Sequence, residues 1–202
     1  MSKPAPLQYG SYYHIYNRGN NRENIFREER NYAYFLQLYD RHIVGTADTY
    51  AYCLLRNHFH FLVRIKTRQE IKILQAAKSL KTASPSQCFG NLFNAYAKAI
   101  NKAYGRTGSL FQNPFGRIKI TSNSHFVHLV AYIHQNPEKH GFVDDYRDWP
   151  YSSYGALRST KPNNLNRQPV LDWFNGLENF DKHHTQLKYN PLISYLVEED
   201  DE

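Results

Sequence analysis

Between His58 and Lys66 the chain alternates with period two: Phe59, Phe61, Val63 and Ile65 share one parity, and His58, His60, Leu62 and Arg64 share the other. Side chains two apart on a strand project from one face, so the pattern predicts a strand with its phenylalanines turned to a core. A second run over about Thr49 to Leu55 precedes it, and Arg56-Asn57 between them completes a hairpin. Upstream, residues 9 to 18 (YGSYYHIYNR) read as a first strand, closed by Gly19 and two asparagines. From Glu28 to Val44 the apolar positions Tyr32, Phe35, Leu36, Tyr39 and Ile43 recur at helical spacing.

Farther along, Pro85 to Tyr104 predicts a longer helix with Phe93, Tyr96, Ile100 and Tyr104 buried and Lys98, Lys102 and Arg106 opposite. A short strand is expected around Phe115 to Ile120. A last helix is expected from about Ser122 to Asn136, where Pro137 disfavours helical geometry in its predecessor. Beyond Trp149 the pattern weakens into WPYSSY, loops rich in Asn and Pro, and an acidic end expected to be disordered. Strand, helix, strand, strand, helix, strand, helix is the order of a split βαβ unit. The expected fold class is therefore α+β: a ferredoxin-like antiparallel sheet with helices packed on one face, the other face open for a site, and an irregular C-terminal extension. The expected division is a domain over 1–155 and an extension over 156–202.

Composition narrows the function. The chain has 25 Lys and Arg against 18 Asp and Glu, for a net charge of +7, and 15% aromatic residues, 17 of them tyrosine. Five acids occupy Glu198 to Glu202; without them the balance is +12. A basic, tyrosine-rich body suits a polyanion whose phosphates meet cations and whose unstacked bases meet rings, although a merely soluble basic protein has the same composition. No apolar run of about 18 residues is present and the first residues are not those of a secretory signal, so a cytoplasmic protein without a membrane segment is expected. Cys53 and Cys88 form neither a disulfide scaffold nor a CxxC pair, and both read as buried thiols.

His58 and His60 face one way on the second hairpin strand, about 6 to 7 Å apart along it, close enough to share a cation. Hydrogen-bonded surface histidines give the same pattern. On the last helix His125, His128, Tyr132 and Asn136 form one stripe, and Phe126, Leu129, Val130 and Ile133 form the other. Tyr132 and Asn136, one turn apart, can reach a common point; a core-edge aromatic and a helix cap are the plainer readings.

Four strings occur in order: YHIYNRG (13–19), YCLLRNHFH (52–60), GSLFQ (108–112) and YIHQNP (132–137). With WPYSSY (149–154) they resemble the single-tyrosine HUH transposases, above all the REP-associated tyrosine transposases, which act on short palindromic repeats in bacterial genomes. The resemblance covers about residues 9 to 155. It departs at Arg56, where many relatives have proline, at Phe111, and after Pro137, where Glu138-Lys139-His140-Gly141 replaces a small, basic sequence. It implies that His58 and His60 hold a divalent metal, that Asn136 is the amide-type third ligand, and that Tyr132 is the nucleophile.

The implied chemistry is coherent. A phenol with a pKa near 10 is a poor nucleophile at neutral pH and needs a cation or base beside it. A divalent ion would polarise the phosphate and stabilise the departing 3'-oxygen. The product is a 5'-phosphotyrosine that another 3'-hydroxyl can resolve, rejoining DNA without ATP. Two histidines and an amide favour manganese, nickel or zinc over magnesium in affinity, while availability favours magnesium or manganese in the cell. The partner is single-stranded or hairpin DNA, with Arg18, Arg64, Lys98, Lys102, Arg106 and Arg117 as candidate contacts. A monomer is favoured, as in the REP-associated branch, over the dimers of insertion-sequence relatives. The alternatives are a repeat-hairpin DNA-binding protein that does not cleave and a two-histidine hydrolase that uses water.

Overall fold

The computed structural model describes residues 5–78 and 83–186; the acidic residues 198–202 lie outside them. Four strands, β1 (Tyr12–Arg18), β2 (Ala47–Leu54), β3 (His58–Ile65) and β4 (Gly116–Ile120), form one sheet in the order β2-β3-β1-β4, with every neighbouring pair antiparallel. Helix α1 (Glu29–Ile43) connects β1 to β2, while α2 (Arg68–Lys78) and α3 (Pro85–Ala103) lie between β3 and β4. Helix α4 (Asn123–Lys139) follows β4. This is the split βαβ arrangement expected, with β3 inserted between β1 and β2. No described helix is long and apolar enough to cross a membrane.

Local signals set the helix starts. Ser84 caps α3 by accepting from the Gln87 N–H, and Pro85 follows at the first helical position, where no intrahelical N–H is needed. Ser122 caps α4 in the same way, accepting from the His125 N–H. The end of α4 differs from expectation, because the helix continues through Pro137 to Lys139. Proline this close to the terminus removes a single backbone bond. The stop is Gly141, at φ +66°: the Phe142 N–H donates to the Pro137 carbonyl (2.8 Å) and the Gly141 N–H to the Glu138 carbonyl (3.0 Å). That is a Schellman closure, which requires left-handed backbone and so favours glycine.

The odd-parity residues of β3 and β1, Phe59, Phe61, Val63, Ile65, Tyr13 and Ile15, pack against Phe35, Tyr39, Phe89, Leu92 and Tyr96 of α1 and α3. The expectation of helices on one face only is corrected here. The opposite face carries Tyr50, Ala51, Cys53 and Leu62, and these are covered by Phe126, Leu129, Val130 and Ile133 of α4. The expected irregular extension is corrected too. It forms α5 (Tyr154–Arg158), α6 (Arg167–Trp173) and α7 (Leu177–Gln186), and its Leu157, Val170, Leu171, Phe174 and Phe180 enter the same second core. A sheet covered on both sides buries both parities of its central strand: on β3, His58 and His60 are buried and Arg64 alone is half-buried. Cys53 is buried and Cys88 half-buried, and both are free thiols.

Candidate active site

Strand β3 presents His58 and His60 on the α4 face, with ring centroids 5.1 Å apart and planes at 84°. They are 3% and 1% exposed. Each ring is held through Nδ1. His58 Nδ1 lies 2.7 Å from Asn57 Oδ1, an oxygen that only accepts, so His58 carries its proton on Nδ1 and its lone pair on Nε2. His60 Nδ1 lies 2.9 Å from Nε2 of His14, on the neighbouring strand β1, and the two rings stack at 23°. An imidazole fixed through one nitrogen presents the other in a set direction, the usual arrangement for a metal-binding histidine.

Helix α4 crosses this face and brings Tyr132 and Asn136 to it. The Tyr132 ring meets His60 edge-on at 5.7 Å between centroids. Asn136 is fully buried; its Nδ2 donates to the Tyr132 carbonyl (3.2 Å), and its Oδ1 has no hydrogen-bond partner among the described residues. A buried amide oxygen left in this way costs free energy unless something electropositive meets it, and a cation does so. Among the described residues no group of three His, Cys, Asp or Glu side chains can hold a metal ion. Two imidazole nitrogens and one amide oxygen would make a neutral donor set, of the kind suited to first-row transition metals.

In front of the histidines lies a cavity of about 140 Å³ lined by Tyr16, Asn17, Arg18, Gln112 and Gly116 as well as His58 and His60. Two separate sequence strings are joined here. The Gln112 N–H donates to the Arg18 carbonyl (3.0 Å), and Asn17 Nδ2 donates to the Gln112 carbonyl (3.2 Å). Gly116 faces Tyr16 across β1 and β4, and a Cβ there would lie 2.2 Å from the Tyr16 ring, so any other residue would displace that ring from the cavity wall. The cavity opens into a groove of about 550 Å³ along α3 that includes Asn17, Gln112, Phe115, Lys98 and Arg117.

A family model described as "Transposase IS200 like" matches residues 7–136, ending on Asn136. The chain belongs to that family. A Haemophilus influenzae protein named as a REP-associated tyrosine transposase is 29% identical over 110 residues, which are 53% of this chain and 58% of that relative. The chain thus matches less than two thirds of that relative's length. A solved structure of a REP-associated tyrosine transposase bound to a REP hairpin superposes with a TM-score of 0.59 at 16% identity, covering 82% of this chain and 90% of the other. At that identity the likeness shows a common fold.

The candidate cations divide by surroundings. Arg18 lines the cavity and Lys98, exposed on α3, lines the groove. Arg117 also lines the groove, with its guanidinium 3.7 Å over the Phe115 ring and Nη1 donating to Ser86 Oγ (3.4 Å); burial lowers its pKa. Lys102 is exposed on α3 outside both hollows. Arg106 is drawn aside, donating through Nε to Glu23 (3.0 Å) and through Nη1 to Asn101 (2.6 Å). Arg64 lies between Asp48 (3.1 Å from Nε) and Glu70 (2.7 Å from Nη2), and with the Thr67 N–H it holds the Glu70 carboxyl down at about 2.

Sequence reasoning missed three participants. His14 and Asn17 lie inside YHIYNRG, where parity alone puts His14 on the same face as Tyr16, but their partners come from other strings. Lys139 was cut off by ending α4 at Asn136; its Nζ sits 5.5 Å from the centroid of the Tyr132 ring. Seven residues separate the two, which is two helical turns and therefore one face.

Proposed function

We propose that the protein is a metal-dependent DNA strand transferase that cleaves and rejoins single-stranded DNA at hairpin or palindromic repeats through Tyr132. The observation that supports the reading is the edge-on approach of Tyr132 to His60 at 5.7 Å, one helical turn before the buried Asn136, whose Oδ1 has no hydrogen-bond partner among the described residues. His58, His60 and Asn136 would hold the divalent ion, magnesium or manganese in the cell. That ion supplies charge stabilisation to the phosphate and to the departing oxygen.

The remaining steps belong to the chain's own groups. Tyr132 Oη attacks the scissile phosphorus, the P–O3' bond breaks, and the P–Oη bond that forms is the 5'-phosphotyrosine. The phenol loses its proton and the departing 3'-oxygen gains one. Lys139, over the Tyr132 ring, favours the negative charge that develops on the phenol. Arg18, in the cavity wall, would meet a phosphate oxygen, and Lys98, in the groove wall, the backbone of the strand beyond it. A second 3'-hydroxyl reverses the reaction. Since every participant comes from one chain, a monomer suffices, working on DNA in the cytoplasm.

The test is incubation of labelled hairpin DNA with protein and manganese, followed by denaturing electrophoresis. Wild type should give a shortened strand and a covalent adduct whose peptide carries the nucleotide on Tyr132. Tyr132→Phe removes one oxygen, so stability should change by no more than about 1 kcal/mol and hairpin binding should persist, while cleavage and adduct vanish. A mutant that still cuts would indicate a hydrolase using water; a wild type that binds and never cuts would indicate a binding protein.

A further inference from the structure

The string WPYSSY is the strongest motif that the active site leaves unused. Its inward-facing groups are structural. Tyr52 N–H donates to Ser153 Oγ (2.8 Å), Leu54 N–H donates to the Tyr151 carbonyl (2.9 Å), and Trp149 Nε1 donates to the Leu54 carbonyl (2.9 Å). These bonds strap residues 149–153 to the end of β2, beside the Arg56-Asn57 turn and therefore beside His58.

The half-buried rings of this segment and its neighbours form a row that begins at His58, with one face of Tyr151 stacked on Tyr32 at 3.7 Å. His140 lies 5.0 Å from His58, Phe142 lies 6.4 Å from His140, Trp149 lies 5.7 Å from Phe142, and Tyr151 lies 5.7 Å from Trp149, centroid to centroid. The exposed Arg56 holds its guanidinium 5.5 Å over Phe142. Rings that serve only the core, such as Phe35 and Tyr96, are fully buried, whereas Phe142, Trp149 and Tyr151 are half-buried. Trp149 is already oriented by its bond to Leu54, and Phe142 follows directly from the Gly141 turn. Placing a base on either would therefore order little that is not ordered already.

We infer that this row is a stacking track for the unpaired bases that adjoin a bound hairpin. Every base has a π-face, so such a track binds single-stranded DNA with little regard to sequence, and Arg56 adds a cation for stacking and for phosphate. Arg56, Phe142, Trp149 and Tyr151 line neither the cavity at the histidines nor the groove along α3, so the row is a surface separate from both. The inference rests on the DNA reading above.

Trp173→Phe leaves Trp149 as the sole tryptophan, since the chain has two, and Trp173 packs elsewhere, against Tyr50 and Phe126. This variant is titrated with a hairpin that is blunt, one with an unpaired extension, and one whose extension is abasic. Tryptophan fluorescence and DNA anisotropy are read together. The extended hairpin should bind more tightly than the other two and should alone quench Trp149. Phe142→Ala should weaken the extended hairpin at least about fivefold, the low end for one base–aromatic stack. Equal affinity for extended and abasic DNA with Trp149 unquenched would overturn the track while leaving the DNA reading intact. A failure of every hairpin to bind either this variant or the wild-type protein, read by anisotropy, would overturn both.

Discussion

His58 Nδ1 donates to the side chain of its own neighbour, Asn57, and so the turn that makes the hairpin also selects the tautomer of its first histidine. Asn57→Ala should therefore lower manganese affinity about 10- to 100-fold, the usual cost of losing a partner behind a metal-binding histidine. The double change His58→Ala, His60→Ala should abolish binding altogether. Calorimetry checks both, and unchanged binding in the double variant would remove these two residues from the metal site. Lys139→Met keeps the aliphatic stem and removes the charge over Tyr132; a cation–π contact of about 0.5–1 kcal/mol predicts cleavage about two- to fivefold slower at saturating DNA. Single-turnover cleavage on the labelled hairpin measures it, and an unchanged rate would leave Lys139 outside the reaction.

At the scale of elements, α3 shows where a stripe of charges ends. Lys98 and Lys102 lie on the helix, and Lys98 lines the groove, whereas Arg106, expected to continue the stripe, lies beyond the helix end at Ala103 and the Gly105 turn and is tied to Glu23 and Asn101. Lys98→Ala should weaken binding about equally across DNA sequences and flatten its dependence on salt by up to about one unit. Arg106→Ala should leave that slope alone and instead cost about 1 kcal/mol of stability, since its ion pair is only partly screened. Filter binding across a salt series and denaturant unfolding separate the two. Helix α4 makes a complementary point: the polar stripe of Tyr132 and Asn136 was legible from spacing, but the last turn was not. Proline marks a helix end in most sequences, and only the backbone closure at Gly141 shows that the true end lies one turn later and brings Lys139 to the site.

For the molecule as a whole, the second core is joined by a chain of histidines that the sequence does not reveal. His184 Nδ1 donates to the Phe180 carbonyl (2.8 Å), so its Nε2 accepts from His134 Nδ1 (2.8 Å), and His134 Nε2 in turn accepts from the Ser153 hydroxyl (2.7 Å). Both rings are neutral in the fold. Burial lowers the His134 pKa well below the usual value and brings that of His184 down to about 4. Between about 4 and 6.5 the unfolded chain takes up a proton at His184 that the folded chain refuses. The stability is thus complete above about 6.5 and is lost as the pH falls toward 4, by about 3 kcal/mol for His184 alone. Thermal unfolding across this range measures the loss, and replacing His184 by Gln should flatten it. Because the chain ties α7 to α4, acid should loosen the C-terminal helices before the β1–β3 pairing.

The sequence alone determined what depends on neighbours along the chain. Period-two alternation placed His58 and His60 on one face of β3, helical spacing put Tyr132 one turn before Asn136, and the order of elements specified the antiparallel sheet. These follow from backbone geometry that repeats every few residues. Tertiary structure decided everything that depends on residues distant in sequence: the His14–His60 bond across 46 positions, the covering of the second sheet face by α4 through α7, and the pairing of Arg64 and Arg106 with carboxylates. An extension of short helices has weak periodicity of its own, and its Val170, Phe174 and Phe180 find a reason to be apolar only in a core shared with β2 and β3, laid down more than a hundred residues earlier.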